Sequence, residues 1–149
     1  MLNTFRLLGD VDVSGRDFDI PLNTVCVEEY TVKDEHAAKH VGTGDVAVLS
    51  TPSMIAFMEK TSMACVQQYL PPEYTTVGVL VNVKHLNPAP VGSTIRVESK
   101  LVAREGRRLV FEVKALLKET LIGEGIHERF IVHGKRFIER AKKIFEQSG

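Results

Sequence analysis

Three side chains in the middle of the chain have the chemistry of a nucleophile, an acid and a base: Thr51, Glu59 and His85. Glu59 lies in Ser50–Leu70, which is predicted to form one helix, and its own helical face is mostly apolar with no cation three or four residues away. If that face packs on a sheet, the carboxylate is partly desolvated, which costs several kcal/mol unless a partner compensates. The alternative is a Glu59 at the rim of the helix, solvated or paired with an arginine from elsewhere.

His85 is the candidate base because it continues a strand pattern with a period of two. It follows four valines at alternate positions, so a regular strand would place it on their face. That face comprises Val77, Val79, Val81 and Val83. A lone histidine there is more often a satisfied core residue, but Glu59 and His85 directed into one helix–sheet interface would form an acid/base pair.

Thr51 stands eight residues before Glu59, at the predicted start of the helix. Ser50 or Thr51 is the candidate N-cap, Pro52 suits the first helical positions, and Pro71 with Pro72 ends the helix. A helix N-terminus also offers N–H donors that could bind an anion or a carbonyl oxygen. Both capping and catalysis therefore remain open for Thr51.

The elements that must position these residues read as one helix and about five strands. Thr24–Lys33 is the predicted first strand, and period-two patterns after Tyr74 predict four more strands in an antiparallel meander, ending near His133. Lys135–Gln147 is predicted to be an amphipathic helix. The whole chain, 1–149, is expected to form one α+β domain in which the sheet wraps a long central helix.

Composition narrows the function and the compartment. Nineteen basic and nineteen acidic residues cancel, so we expect neither a nucleic acid nor a membrane as partner. Cys26 and Cys65 lack C-x-x-C spacing, and the expectation is two buried or free thiols rather than a disulfide. With no apolar run long enough for a signal sequence or a membrane span, we predict a soluble cytoplasmic protein.

Four segments in order resemble the hotdog-fold thioesterases, and among them most closely the fluoroacetyl-CoA thioesterase group. They are TPSMIAFME, VGVLVNVKH, EGRRLVFEV and IGEGIHERFIVHGKRF, and the resemblance covers roughly residues 25–142. The resemblance implies a helix wrapped in an antiparallel sheet. It also implies a homodimer in which two sheets join edge to edge, and dimers could pair further into tetramers. The implied activity is hydrolysis of acyl-CoA thioesters at sites between the subunits. The resemblance implies no cofactor, coenzyme A being part of the substrate.

The resemblance also implies roles for five residues. Thr51, Glu59 and His85 match the family's catalytic residues, Gly78 matches the glycine associated with the thioester carbonyl, and Arg129 matches a substrate-binding arginine in an H-E-R triplet. Two routes stay open. In the covalent route, Glu59 attacks the thioester carbonyl to give an anhydride. In the general-base route, either Glu59 or Thr51 assisted by His85 activates the nucleophile.

Two departures from the family pattern bear on the acyl group. Residues 42–47, GTGDVA, lack the aromatic residue that gates the acyl pocket in the fluoroacetyl enzyme, and Pro52 replaces a glycine. We therefore expect a small or medium acyl-CoA rather than specifically a fluorinated one. The alternatives are a non-catalytic acyl-CoA-binding or regulatory hotdog protein and, with less support, a hotdog hydratase.

His36 and His40 are the remaining residues with possible chemistry. Their spacing of four could place two imidazoles on one helical face as metal ligands. Two candidate ligands without a third are weak evidence for a metal site, and we expect a solvated polar segment instead. We therefore predict no metal site, and we expect His127 and His133 to occupy surface or strand-end positions.

Overall fold

The computed structural model describes residues 18–148. Its elements, in chain order, are β1 (Val25–Thr31), a 3₁₀ turn (Asp34–His36), α1 (Ala38–Val41), α2 (Thr51–Gln67), β2 (Tyr74–His85), β3 (Thr94–Glu105), β4 (Arg108–Leu117), β5 (Thr120–His133) and α3 (Gly134–Ser148). The predicted α+β class, five strands and C-terminal helix are confirmed. The expectation of a long central helix is not confirmed, because α2 has 17 residues, only moderately more than the average helix.

The five strands form one antiparallel sheet in the order β1-β3-β4-β5-β2. The predicted meander is right for β3, β4 and β5 but wrong for β2, which pairs with β5, while β3 pairs with β1. The chain crosses from one sheet edge to the other through α2, so the helix lies against the sheet between its two edge strands. β1 and β2 are therefore the edges of the described sheet.

α2 begins as the sequence predicts, and the structure resolves which residue caps it. The Ser50 hydroxyl accepts the Ser53 N–H at 3.1 Å, and Thr51 is the first helical residue. The helix buries an apolar stripe that includes Met54, Phe57 and Met58. With Ser50 as the cap, the hydroxyl of Thr51 is available for a different contact.

β2 contains a β-bulge that changes the predicted alternation. Its register against β5 shifts between Gly78 and Leu80, so one extra residue is inserted and the side chains switch faces. Before the bulge, Thr76 and Gly78 face α2; after it, Val83 packs on the core and His85 contacts the helix. The expectation that His85 shares one face with all four valines is therefore wrong, although His85 does reach the helix.

Cys26 and Cys65 form a disulfide, which corrects the expectation of free thiols. Cys26 lies on β1 and Cys65 near the end of α2, and the fold brings their Cα atoms to 5.6 Å, within the range a disulfide requires. Strand and helix are too far apart in sequence for spacing to reveal this. The argument from free thiols to the cytoplasm is lost, and the location stays a prediction. Within residues 18–148, no helix is long and apolar enough to span a membrane.

The disulfide is expected to stabilise the fold substantially. It joins residues 39 apart in sequence, and the chain-entropy relation gives about 4 kcal/mol for a loop of that size, with about 2–4 kcal/mol typical. Replacing both cysteines by serine should lower the free energy of unfolding by that amount in urea titrations. Reductant should destabilise the wild type and leave the serine variant unchanged; equal sensitivity of the two proteins would contradict the bond.

Candidate active site

The start of α2 and the end of β2 bring Thr51 and His85 into contact. Thr51 Oγ1 lies 2.7 Å from His85 Nδ1, the geometry of a hydroxyl that donates to an imidazole nitrogen. The pair lines a pocket of about 350 Å³ whose wall also includes Thr43 and Asn87. A nucleophile and a base within hydrogen-bond reach, open to a pocket, are the arrangement that nucleophilic catalysis requires.

The environment of His85 favours the neutral imidazole. Burial lowers the pKa of His85 below its ordinary value, because the charged form is poorly solvated. Neutral His85 can accept the Thr51 proton at Nδ1 while Nε2 carries the other proton. Nε2 is buried and makes no hydrogen bond within the part of the chain that the structure describes, while the neighbouring Asn87 backbone opposes part of the lowering of the His85 pKa.

The N-terminus of α2 offers fewer backbone N–H donors than a helix start usually does. Pro52 has no N–H, and the Ser53 N–H is used by the Ser50 cap. The Met54 N–H already donates to the Ser50 carbonyl at 3.0 Å. A developing oxyanion next to Thr51 would therefore find few donors in the first turn of α2 besides the backbone N–H of Thr51 itself.

A second cluster surrounds Glu59 further along α2. One Glu59 carboxylate oxygen, Oε2, lies 3.6 Å from Arg129 Nη1, and 41% of the Glu59 side chain is exposed. The same oxygen would lie 3.0 Å from a Cβ at position 78, so glycine lets the carboxylate approach β2. Glu59 is thus at the rim and paired with an arginine, the alternative that the sequence left open.

His127 and Thr76 hold the Arg129 guanidinium in place. Arg129 Nε and Nη2 donate to the Thr76 hydroxyl and carbonyl at 2.7 and 2.9 Å, and Nη1 donates to His127 Nε2 at 3.1 Å. Since a guanidinium only donates, His127 must be protonated at Nδ1, which donates to the Leu80 carbonyl at 2.8 Å. Burial lowers the pKa of His127, which agrees with a neutral ring.

His127 is therefore a buried network residue, which corrects its expected surface or strand-end position. Sequence alternation could not reveal it because both faces of β5 are buried at this point, where Glu128 on the other face pairs with buried Arg108. His133 does lie at the strand end, where it packs edge-on against Tyr74.

The single chain does not bring all five predicted site residues together. Thr51 and His85 form one contact, and Glu59, Gly78 and Arg129 form another. Thr51 and Glu59 are eight residues apart on one helix, about 12 Å along its axis. In the described chain, Glu59 makes neither a hydrogen bond nor an ion pair with Thr51 or His85.

His36 occupies a structural position in the 3₁₀ turn. Its Nδ1 accepts the Lys33 backbone N–H at 3.0 Å, and its ring packs edge-on against Phe57. His40 lies on α1, where it is exposed. Among residues 18–148, no group of three potential ligands could hold a metal ion.

Comparison with known proteins gives one consistent result. The family model for fluoroacetyl-CoA-specific thioesterase matches residues 32–135. The fluoroacetyl-CoA thioesterase of Streptantibioticus cattleyicolor is 32% identical over 96 residues, which is 64% of this chain and 69% of that protein.

Solved structures agree with this match. A variant of the fluoroacetyl-CoA-specific thioesterase in complex with fluoroacetate and CoA superposes with a TM-score of 0.74 at 27% identity, covering 79% of this chain and 99% of that one. A hot-dog-like protein from Thermanaerovibrio acidaminovorans has a TM-score of 0.80 at 23% identity, covering 87% and 98%. The predicted hotdog fold is confirmed.

Proposed function

The chain belongs to the fluoroacetyl-CoA-specific thioesterase family and is an acyl-CoA thioesterase, and we propose that it hydrolyses a small or medium acyl-CoA with Thr51, Glu59 and His85. The observation that carries the proposal is the 2.7 Å contact between the Thr51 hydroxyl and His85 Nδ1. It supplies a nucleophile already hydrogen-bonded to its base, beside a pocket, which a protein that only binds acyl-CoA does not need.

The contact favours the route in which His85 activates Thr51. His85 Nδ1 takes the hydroxyl proton as the Thr51 oxygen bonds to the thioester carbonyl carbon. The C–S bond then breaks, the CoA thiolate leaves and takes the proton from His85, and the acyl group stays on Thr51 as an ester. Water, deprotonated by the same imidazole or by Glu59, cleaves that ester to release the acid and restore the hydroxyl.

Glu59 would join this set across a subunit interface. β2 is an edge strand with exposed Leu80 and Val81, and an edge strand can pair with the same strand of a second copy. Antiparallel pairing about the middle of β2 would place Gly78 about 13 Å along the strand from the level of the partner subunit's His85. Its own His85 is about 20 Å away along the strand, because the bulge leaves six register steps on β5 between Gly78 and His85.

The same pairing suggests roles for Gly78 and Arg129. Arg129 holds the Glu59 carboxylate beside Gly78, and the backbone N–H of Gly78 is our candidate donor to the thioester oxyanion. The start of α2 has few donors of its own, so a donor from the partner subunit's β2 would fill that need. The active protein is accordingly proposed to be a homodimer that takes acyl-CoA without a cofactor.

Release of free thiol from a panel of acyl-CoAs of increasing chain length tests the proposal. We expect turnover of short and medium chains, with a fluorinated two-carbon ester no better than its unfluorinated counterpart. Turnover confined to long chains would contradict the substrate class. CoA esters that bind without any thiol release would favour the regulatory protein instead.

Replacing Gly78 by alanine should impair catalysis more than folding. The added Cβ would lie 3.0 Å from Glu59 Oε2 and 3.3 Å from His127 Cε1, so the carboxylate must move. A misplacement of about 1 Å can cost about a hundredfold, so this smaller shift should lower kcat/KM by roughly threefold to tenfold, while the melting temperature changes little. Gly44→Ala is the matched control, because its Cβ meets only Ala38 at an ordinary 3.5 Å. Equal activity of both variants would show that catalysis does not depend on the close approach of the Glu59 carboxylate to position 78.

A further inference from the structure

The C-terminal helix α3 carries an apolar stripe that the rest of residues 18–148 leaves largely exposed. Phe137, Ile138, Ala141, Ile144 and Phe145 recur at spacings of three and four, the pattern of one helical face. α3 follows β5 directly and none of its residues is buried among residues 18–148; Ile138, Ile144 and Phe145 are 57, 52 and 80% exposed. Apolar side chains grouped in this way on one face indicate an interaction surface.

The position of α3 links this stripe to the edge strand β2. Gly134, the first residue of α3, donates its N–H to the Glu73 carbonyl at 3.0 Å, and Tyr74 at the start of β2 pairs with His133. The stripe therefore begins beside one end of β2. Leu80 and Val81, at 41 and 38% exposure, lie in the middle of that strand.

More exposed apolar residues lie at the opposite end of β2. Leu86, which follows β2 directly and lines the Thr51–His85 pocket, is 48% exposed. Val46, in the loop that leads into α2, is 58% exposed. We call these two residues the pocket rim, because Leu86 lines the pocket and Val46 lies in the loop between two lining residues, Thr43 and Val48. Exposed apolar side chains thus occur at three levels of β2, near α3 at its start, at its middle and at the pocket rim beyond its end.

Such a surface complements itself under a two-fold axis. In an antiparallel β2–β2 pair, the start of β2 in one copy lies beside the end of β2 in the other, and every contact occurs twice. We infer that the apolar stripe of α3 packs on the partner subunit's pocket rim, so that each subunit supplies one wall of the other's acyl site. This inference rests on the homodimer proposed above and not on the chemical route.

Charge favours the pocket rim, rather than the α3 of a second copy, as the surface that packs on the apolar stripe of α3. α3 holds five basic residues and two acidic ones, so two such helices packed together would repel each other. The pocket rim is closer to neutral, because the exposed Asp45 stands beside Val46 and the exposed Lys39 donates its backbone N–H to the Val46 carbonyl at 3.2 Å, so it does not repel a basic helix as a second α3 would. An anionic membrane would also suit a basic amphipathic helix, and that occupant is one outcome of the test below.

A photoreactive probe on α3 identifies the occupant directly. The two native cysteines are in the disulfide, so in F145C the introduced thiol is the reactive one and can carry a benzophenone maleimide. The matched control is K143C, two residues away and therefore on the opposite side of the helix. Each labelled protein is irradiated alone and with vesicles containing anionic phospholipid, while its native mass is measured by light scattering.

We expect F145C to give an adduct of twice the chain mass, with the attachment mapping to the peptides that hold Val46 or Leu86. K143C should give no such adduct above the unirradiated level. Adducts within one chain, including residues 1–17, attachment to the partner's α3, or attachment to lipid would each overturn the inference while leaving the dimer and its hydrolysis intact. A monomeric native mass would overturn the proposed dimer as well, and thiol release measured in parallel would show whether hydrolysis survives.

Discussion

Glu59→Gln is expected to lower kcat/KM for thiol release by about 10²–10⁴-fold, the range for loss of a general acid or base. The amide keeps the size of the side chain and can still accept a hydrogen bond from Arg129, so the fold should survive. What is lost is the negative charge and the ability to take a proton. Thermal unfolding should therefore move little while turnover collapses.

A matched control separates this effect from a general loss of charge. Glu112 is exposed on β4, far from the candidate site in sequence and paired in register with Lys100. Glu112→Gln should retain wild-type turnover. If Glu59→Gln also retained it, Glu59 would be only the structural partner of Arg129 that the single chain displays.

Isotope labelling distinguishes the two routes for Glu59. If its carboxylate attacked the thioester, water would cleave the resulting anhydride, and a single turnover in ¹⁸O-water could leave the label in Glu59. The route through Thr51 leaves Glu59 unlabelled and passes through an acyl ester on Thr51. Mass spectrometry of the peptide that contains both residues detects either the ¹⁸O label in Glu59 or the acyl ester on Thr51.

The sequence predicted the elements around the site well because their signals are local. Proline and serine mark the start of α2, period-two alternation marks the strands, and each was found within a few residues of its expected bounds. Strand order was harder, since pairing β2 with β5 depends on where α2 carries the chain. No local pattern encodes that choice.

The bulge in β2 shows why the candidate site could be predicted only in part. Gly78 and His85 are seven residues apart, so a regular strand would place them on opposite faces. The extra residue between Gly78 and Leu80 switches the alternation, and both residues face α2. A glycine within a strand is a known sign of a bulge, yet the uninterrupted valine pattern indicated a regular strand.

Residues that act through other residues were missed for a different reason. His127 matters because it accepts from Arg129, and the disulfide exists because β1 lies beside α2. The His127–Arg129 bond joins alternate residues of a strand that is buried on both faces, and the disulfide joins a strand to a helix. Such relations follow from tertiary packing, which the sequence pattern does not specify.

Thr51→Ala and Ser50→Ala are expected to give opposite results, although the two residues are adjacent. Ser50 is the N-cap, so its loss should lower the free energy of unfolding by about 1 kcal/mol and leave kcat/KM close to wild type. Thr51 bonds His85 instead, so its loss should lower kcat/KM by about 10²–10⁴-fold and change stability little. Enzyme kinetics and urea unfolding of both variants measure the contrast.

Removing both partners of the Thr51–His85 contact provides the stricter test. Groups that act as one unit are strongly non-additive, so Thr51→Ala/His85→Ala should be no slower than the slower single variant. Thr51→Ser should keep part of the activity, because it keeps the hydroxyl. If the two single losses instead multiplied, Thr51 and His85 would act independently, and the 2.7 Å contact would be a structural hydrogen bond rather than a nucleophile and its base.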